Sequence, residues 1–229
     1  MKSVGIIGGL GPETSAEFYL ELVFGCQKID TNCRPLIMMS NVPLPFALER
    51  DFIKSNKGIE RFIPYLVTEA QRLEKTGVDF LVMPCNSLHI FIEQIRESVK
   101  IPVLSILEET VEHIKTNRFR KIGLISTSAT IKNKIYENTF AQAGIEFIVP
   151  DELQRAEMDK IILRLIEGIH LNKDRNIIHQ VIESLKQEGA DAIALACTDL
   201  QLLLPSDDEV KVFDTMKILA NATIENLLC

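Results

Sequence analysis

Short apolar runs of strand length alternate along the chain with longer segments of helical period. The runs are Val4–Gly8, Leu36–Asn41, Phe80–Pro84, Pro102–Ser105, Ile122–Ser126, Glu146–Val149, Ala192–Ala196 and Val210–Asp214. They are apolar nearly throughout rather than at alternate positions, the pattern of parallel strands covered on both faces. Amphipathic stretches lie between them, among them Ile59–Lys75, Asp159–His170 and Arg175–Glu188. This alternation predicts right-handed β-α-β units, and the fold class is α/β with doubly wound parallel sheets. The segment Asn41–Lys57, with Pro43 and Pro45, is the longest irregular stretch. It is predicted to be a loop, and loops of that length often carry function. Met38, Met39 and the Leu and Ile positions of Asp159–Ile169 are predicted to be core.

The pattern also repeats. Gly77-Val-Asp-Phe-Leu-Val-Met-Pro-Cys85-Asn86 aligns with Gly189-Ala-Asp-Ala-Ile-Ala-Leu-Ala-Cys197-Thr198, with glycine, aspartate and cysteine in register. Every position between aspartate and cysteine is apolar in both copies. Each copy follows a long amphipathic helix and precedes a further short strand. The opening Lys2-Ser-Val-Gly-Ile-Ile likewise matches Arg120-Lys-Ile-Gly-Leu-Ile. Two similar halves of four strands each are therefore predicted, the second beginning near Glu108–Lys121. The first half takes 1–105 together with 214–229, because the final helix Thr215–Leu228 crosses back to it. The second takes 106–213, and a shared cleft lies between them.

Composition narrows the function. A chain of 229 residues is long enough to bury a core without disulfide or metal staples. A net charge of −7 argues against nucleic acid as a partner, since no face would neutralise many phosphates. No signal-peptide pattern and no apolar run long enough to span a bilayer is present, so a cytoplasmic location without membrane partners is expected. The five cysteines would then stay reduced, and with an odd number and no Cys-x-x-Cys pair they indicate neither a disulfide framework nor a zinc site. Cys26, Cys33 and Cys229 carry no pattern.

Cys85 and Cys197 do. Each follows a buried strand and precedes residues suited to a helix start, Asn86-Ser87 and Thr198-Asp199. Ligands of open α/β sheets bind outside the carboxyl ends of the strands, and a helix N-terminus there offers free N–H groups to a carboxylate. The same field is expected to lower the thiol pKa. Two related halves would each present a sulfur to a bound small acid. Inverting a stereocentre by proton removal and return needs a base on one face and an acid on the other, and a thiolate and a thiol exchange those roles with direction. His89, one turn beyond Cys85, has three open roles: tuning that thiolate, capping, or a surface position.

The blocks Gly5-Ile-Ile-Gly-Gly-Leu-Gly-Pro-Glu-Thr14, Met83-Pro-Cys-Asn-Ser-Leu-His89, Leu195-Ala-Cys-Thr-Asp-Leu200 and Phe213-Asp-Thr215 together resemble the aspartate/glutamate racemase family, whose members are cofactor-independent two-cysteine amino-acid racemases. The resemblance spans essentially the whole chain and is strongest to aspartate racemases. It implies a pseudo-twofold pair of α/β domains with the active site between them. Cys85 and Cys197 would be the acid/base catalysts of an acidic amino acid's racemisation, aspartate before glutamate, with no pyridoxal phosphate, metal or other cofactor. Asn86, Ser87 (often Thr in the family) and Thr198 would bind the α-carboxylate or amino group, and Thr127 would also contact substrate. A homodimer is implied as well.

Gly8-Gly9-Leu10-Gly11-Pro12 is not a dinucleotide fingerprint, because Thr14 stands where a third spaced glycine belongs and the second strand ends in Ser40-Asn41. Gly9 is expected instead to keep the turn open for close approach of a small acid. Relatives specific for aspartate carry an Arg in the loop after the second strand and a Lys in the helix after the Glu-Gly pair; Ala47 and His170 stand there, and Leu219 replaces a His. Arg50 is expected to reach a distal carboxylate from that loop. His170 would serve as a weaker, pH-dependent cation. The competing functions are a related lyase, isomerase or decarboxylase acting on a small acid, and a non-catalytic small-acid binder.

Overall fold

The structure is a computed structural model that describes residues 1–56, 58–204 and 211–228. Lys57, Val210 and Cys229, which figure in the expectations above, lie outside the described residues.

The first sheet is built from β1 (Ser3–Gly8), β2 (Leu36–Asn41) and β3 (Phe80–Val82), with α1 (Pro12–Ile29), α2 (Phe46–Ser55) and α3 (Ile63–Lys75) between them. α4 (Ile92–Ser98) and α5 (Ile106–Thr116) lead to the second sheet. That sheet holds β4 (Lys121–Ile125), β5 (Glu146–Ile148), β6 (Ala192–Leu195) and β7 (Val212–Asp214). α6 (Ser128–Lys132), α7 (Glu137–Ala143), α8 (Glu152–Ile166), α9 (Asn172–Gln187) and the final α10 (Thr215–Leu228) complete the chain.

All strand pairs are parallel, in the order β2-β1-β3 in one sheet and β5-β4-β6-β7 in the other. The fourth position of the first sheet is reduced to a single parallel bridge between Leu81 and Val103. Leu81 N–H donates to Pro102 O at 2.8 Å and Leu104 N–H to Leu81 O at 3.0 Å. Pro102 has no N–H to extend that ladder, so the apolar run Pro102–Ser105 forms no longer strand. Both sheets thus carry the same strand order, and the fold is α/β with two parallel sheets.

β1, β3, β6 and all but the first residue of β4 are buried, as their unbroken apolar character requires. β2 is not. It pairs with β1 alone and leaves Leu36, Met38 and Met39 57%, 38% and 47% exposed, so the two methionines expected in the core are on an edge strand instead. The predicted loop Asn41–Lys57 also needs correction, because Phe46–Ser55 is the helix α2. Pro45 precedes its first turn, Leu48, Phe52 and Ile53 form a buried stripe, and Asn56 ends it in the left-handed conformation.

Helix starts follow local chemistry. Thr127 caps α6 by accepting from Thr130 N–H at 3.1 Å, and Asp151 and Gln154 form a capping box at α8. α10 packs on α1, and Lys2 N–H donates to Leu227 O at 2.9 Å. Gly25 makes that approach possible, since a Cβ there would lie 2.3 Å from Ile224 Cδ1.

Candidate active site

The turns after β3 and β6, at the carboxyl ends of their sheets, carry Cys85 and Cys197 into one cleft. Asn86, Ser87, Thr127, Thr198 and Asp199 share its polar wall. The cleft encloses about 420 Å³ between atoms, part of it open to solvent. α2 roofs it with Glu49, Phe52 and Ile53, while Phe62 and Ile162 and Ile166 of α8 continue the apolar side. The roof is fastened at its far end. Asn56 beyond α2 and Asn133 beyond α6 exchange amide hydrogen bonds of 2.7 and 3.2 Å.

The thiols behave oppositely to the expectation. Dehydration pushes Cys85 up to about 12, even though the N–H groups of Leu88 and Ser87 point at its sulfur and favour the thiolate. Glu49 and Asp199 add unfavourable negative charge. Burial also raises Cys197, and Asp199 reinforces the effect. The physical reason is the size of the dipoles. Each cysteine is followed by a short 3-10 turn, Ser87–Phe91 or Leu200–Leu202, rather than by a long helix. Their few aligned peptides do not offset removal from water. At both sulfurs the balance favours the neutral thiol.

Three of the hydroxyls form a connected set. Ser87 Oγ lies 3.2 Å from Thr127 Oγ1 and 2.9 Å from Thr130 Oγ1, and Thr198 Oγ1 donates to Pro84 O at 3.3 Å. Asn86 is buried. It donates to Thr215 Oγ1 at 3.0 Å and accepts from Tyr136 O–H, while Thr215 Oγ1 donates to Leu195 O at 2.9 Å. Asn86 thereby ties the turn after β3 to residues beyond β4 and β7, which explains why Thr215 belongs to the sequence pattern. His89 is buried rather than on the surface. Its Nε2 accepts from Ile106 N–H at 3.1 Å, so its Nδ1 carries the proton donated to Cys85 O at 2.6 Å. Burial lowers its pKa to about 4 and keeps it neutral. It braces the Cys85 backbone and caps α5.

The glycine turn makes room for the protein's own side chains. Gly9 has φ of 83°, and a Cβ there would stand 2.5 Å from Asn41 Oδ1. Its N–H donates to Ser15 Oγ at 2.8 Å. A Cβ on Gly11 would lie 2.7 Å from Asp199 Oδ1. Two other expected contacts stand apart from the cleft wall. Arg50 is exposed on α2. His170 is exposed beyond α8, with Nε2 at 2.7 Å from Glu13 Oε2.

Two acidic residues at the site, Asp199 and Glu49, carry no role in the sequence pattern. Asp199 is buried, accepts from Thr14 Oγ1 at 2.6 Å, and has its Oδ2 3.8 Å from Cys197 Sγ. Burial raises its pKa. The Cys-Thr-Asp spacing carried that signal, as did the Thr14 block. Glu49 carries no such signal, because its direction depends on α2, which begins directly after Pro43 and Pro45. Dehydration and the Asp199 charge raise it to about 7. Among the described residues no group of three His, Cys, Asp or Glu could hold a metal ion, and no helix is long and apolar enough to cross a membrane.

Residues 7–223 match the Asp/Glu/Hydantoin racemase family. The broad specificity amino-acid racemase of Bacillus subtilis is 31% identical over 232 residues, covering 98% of each chain. Among solved structures, an aspartate racemase homologue from Pyrococcus horikoshii superposes with a TM-score of 0.80 at 25% identity over 100% of both chains. The aspartate racemase of Picrophilus torridus gives 0.80 at 25% identity over 99% of this chain and 94% of that one.

Proposed function

This chain belongs to the Asp/Glu/hydantoin racemase family and is an amino-acid racemase, and we propose that it works through two thiols, Cys85 and Cys197, without a cofactor. One sulfur, as thiolate, takes the proton from the α-carbon. The other, as thiol, delivers a proton to the opposite face, and the product is the mirror-image amino acid. The sulfurs then stand in each other's former protonation states, ready for the reverse direction. The observation that carries this reading is the placement of both cysteines on one cleft, at equivalent turns of two like sheets.

The raised thiol pKa values suit the task. A thiolate held away from water is a stronger base than one in solution, and an arriving α-ammonium offsets the Asp199 charge that opposes its formation. The hydroxyls of Ser87, Thr127 and Thr198 hold the α-carboxylate, where charge accumulates as the proton leaves, while the N–H groups of Ser87 and Leu88 serve the Cys85 thiolate. Asn86 and His89 position the first cysteine turn. The exposed apolar residues of edge strand β2 support a homodimer, since an uncovered edge of that kind invites a second chain.

Incubation in heavy water tests the reaction. Deuterium should enter the α-carbon as the opposite enantiomer forms, with no pyridoxal phosphate added, as read by proton NMR and chiral separation. Full racemisation by either Cys85→Ser or Cys197→Ser would reject the two-thiol assignment. The side chain of the substrate is a separate matter. A distal carboxylate needs a cation, and among the described residues lining the cleft there is no lysine or arginine.

A further inference from the structure

The charges around the cleft favour some side chains over others. Its ionisable lining residues are the two thiols, Asp199 and Glu49, so every charge it can carry is negative. A bound amino acid brings one carboxylate and one ammonium at the α-carbon. The hydroxyls serve the carboxylate. Asp199, fixed by Thr14 beside the Cys197 sulfur, is placed for the ammonium. Glu49 is then left over.

Its surroundings define what it is for. Glu49 lines the cleft from the roof helix, together with Phe52, Ile53 and Phe62 and with Ile162 and Ile166. The aromatic part of that wall is a packed surface, with Phe52 and Phe62 meeting edge-on at 5.3 Å between centroids. The influences on the carboxyl are dehydration and the charge of Asp199, with no hydrogen-bond donor among them. A carboxylate in such a place is unfavourable until a cation joins it. An acidic side chain would add a second anion to a cleft already holding several, whereas a chain of methylenes would lie along the apolar wall.

We propose that Glu49 selects the substrate's side chain, and that the cleft takes an amino acid with a flexible apolar stem ending in a cation, of the lysine, ornithine or arginine class, in preference to an acidic one. The inference rests on the racemase reading above and gives that site its substrate class. Arg50, the neighbour of Glu49 in sequence, is exposed and does not line the cleft, so it leaves the carboxylate available.

The test is α-hydrogen exchange in heavy water with L-lysine, L-methionine and L-aspartate, for the wild type and for Glu49→Gln and Glu49→Asp. The wild type should favour lysine, then methionine, with aspartate last by kcat/KM. In Glu49→Gln the lysine-to-methionine ratio should fall by about tenfold or more, through KM for lysine rather than kcat, because a charge-assisted contact is lost. Glu49→Asp should restore part of that ratio. Aspartate turned over faster than lysine by the wild type would overturn the inference. So would an equal loss for all three substrates in Glu49→Gln, which would assign Glu49 to the reacting centre. If no amino acid exchanges, the racemase reading fails, and calorimetric titration with L-lysine and L-aspartate decides the side chain alone. Tighter lysine binding that weakens in Glu49→Gln supports the inference, and aspartate bound as tightly as lysine overturns it.

Discussion

The two halves share their scaffold to the level of single atoms and differ where they meet the cleft. Gly5 of β1 and Gly123 of β4 occupy the same place: an added Cβ would lie 2.6 Å from Leu81 Cδ2 in one and 2.5 Å from Ile193 Cδ1 in the other. Gly77 and Gly189 both take positive φ, at 84° and 90°, just before the repeated strand. Asp79 and Asp191 both fasten the start of that strand to its neighbour. At the cleft the likeness stops. Cys85 faces the N–H groups of two residues, while Cys197 faces that of Asp199 alone and has the same residue's carboxylate 3.8 Å away. The scaffold repeats because one sheet geometry solves one packing problem twice. The sites diverge because the two faces of a tetrahedral carbon present different groups, and matching walls would not fit both.

The largest effect should come from breaking the chemical half of this comparison. Cys85→Ser and Cys197→Ser should each lower racemisation by about 10²–10⁴-fold, the usual contribution of a positioned proton-transfer group. The residual behaviour should differ between them. With one thiol left, a proton removed from one face returns to that face, so each variant should exchange the α-hydrogen of a single enantiomer without inverting it. The two variants should choose opposite enantiomers. Measuring deuterium uptake into D- and L-substrate separately checks this, and exchange of the same enantiomer by both would deny that the sulfurs work from opposite sides.

Much of this arrangement was legible beforehand. The apolar runs of β1, β3, β4 and β6 are continuous because those strands are buried on both faces, and the repeat about Cys85 and Cys197 stands out because both strands end in the same kind of turn. What stayed hidden depends on neighbours that no local pattern records. β2 reads as an interior strand, yet it lies at an edge, where Met38 and Met39 are exposed. α2 lies close behind Pro43 and Pro45, so its ten residues read as a continuation of the irregular segment. The sign of the thiol shift was missed because a helix start is local, whereas the dehydration that opposes it comes from the opposite half and the roof. Glu49 fell with α2, since a residue's direction is unknown until its element is.

The scaffold half of the comparison is sharpened by Gly5→Ala and Gly123→Ala. Each added methyl meets a packed branched side chain and has no room without displacing it. Overpacking of this kind costs about 1–3 kcal/mol. For a chain of this length, that lowers the melting temperature by about 2–4 °C per kcal/mol. The two losses should be similar in size, because the nearest neighbours correspond, with Leu73 and Leu81 answering to Leu185 and Ile193. The measurement is thermal unfolding followed by circular dichroism. A large loss at one glycine and none at the other would show that the likeness of the sheets does not extend to their packing.

The smallest effect concerns the paired aspartates, and pH exposes it. Asp79 accepts from Ser3 N–H at 2.6 Å and Ser3 O–H at 2.7 Å, and its own N–H donates to Ser3 O at 3.0 Å. Asp191 accepts from Arg120 N–H at 2.9 Å and Lys121 N–H at 3.0 Å, and its N–H donates to Lys121 O at 2.7 Å. These bonds favour the ionised form. The Ser3 hydroxyl and then its N–H lower Asp79, and the Arg120 and Lys121 N–H groups lower Asp191. An acid whose pKa is depressed on folding stabilises the fold above its unfolded value of about 3.9 and stops doing so as pH falls through the folded value. Both carboxylates lie near the surface, so the contribution is small. Asp79→Asn and Asp191→Asn should therefore lower the melting temperature slightly and equally at pH 7. The gap to the wild type should close on acidification below the folded pKa. A gap that persists in acid would mean that the side chains act there through shape rather than charge, and a gap at only one position would end the equivalence of the two strand starts.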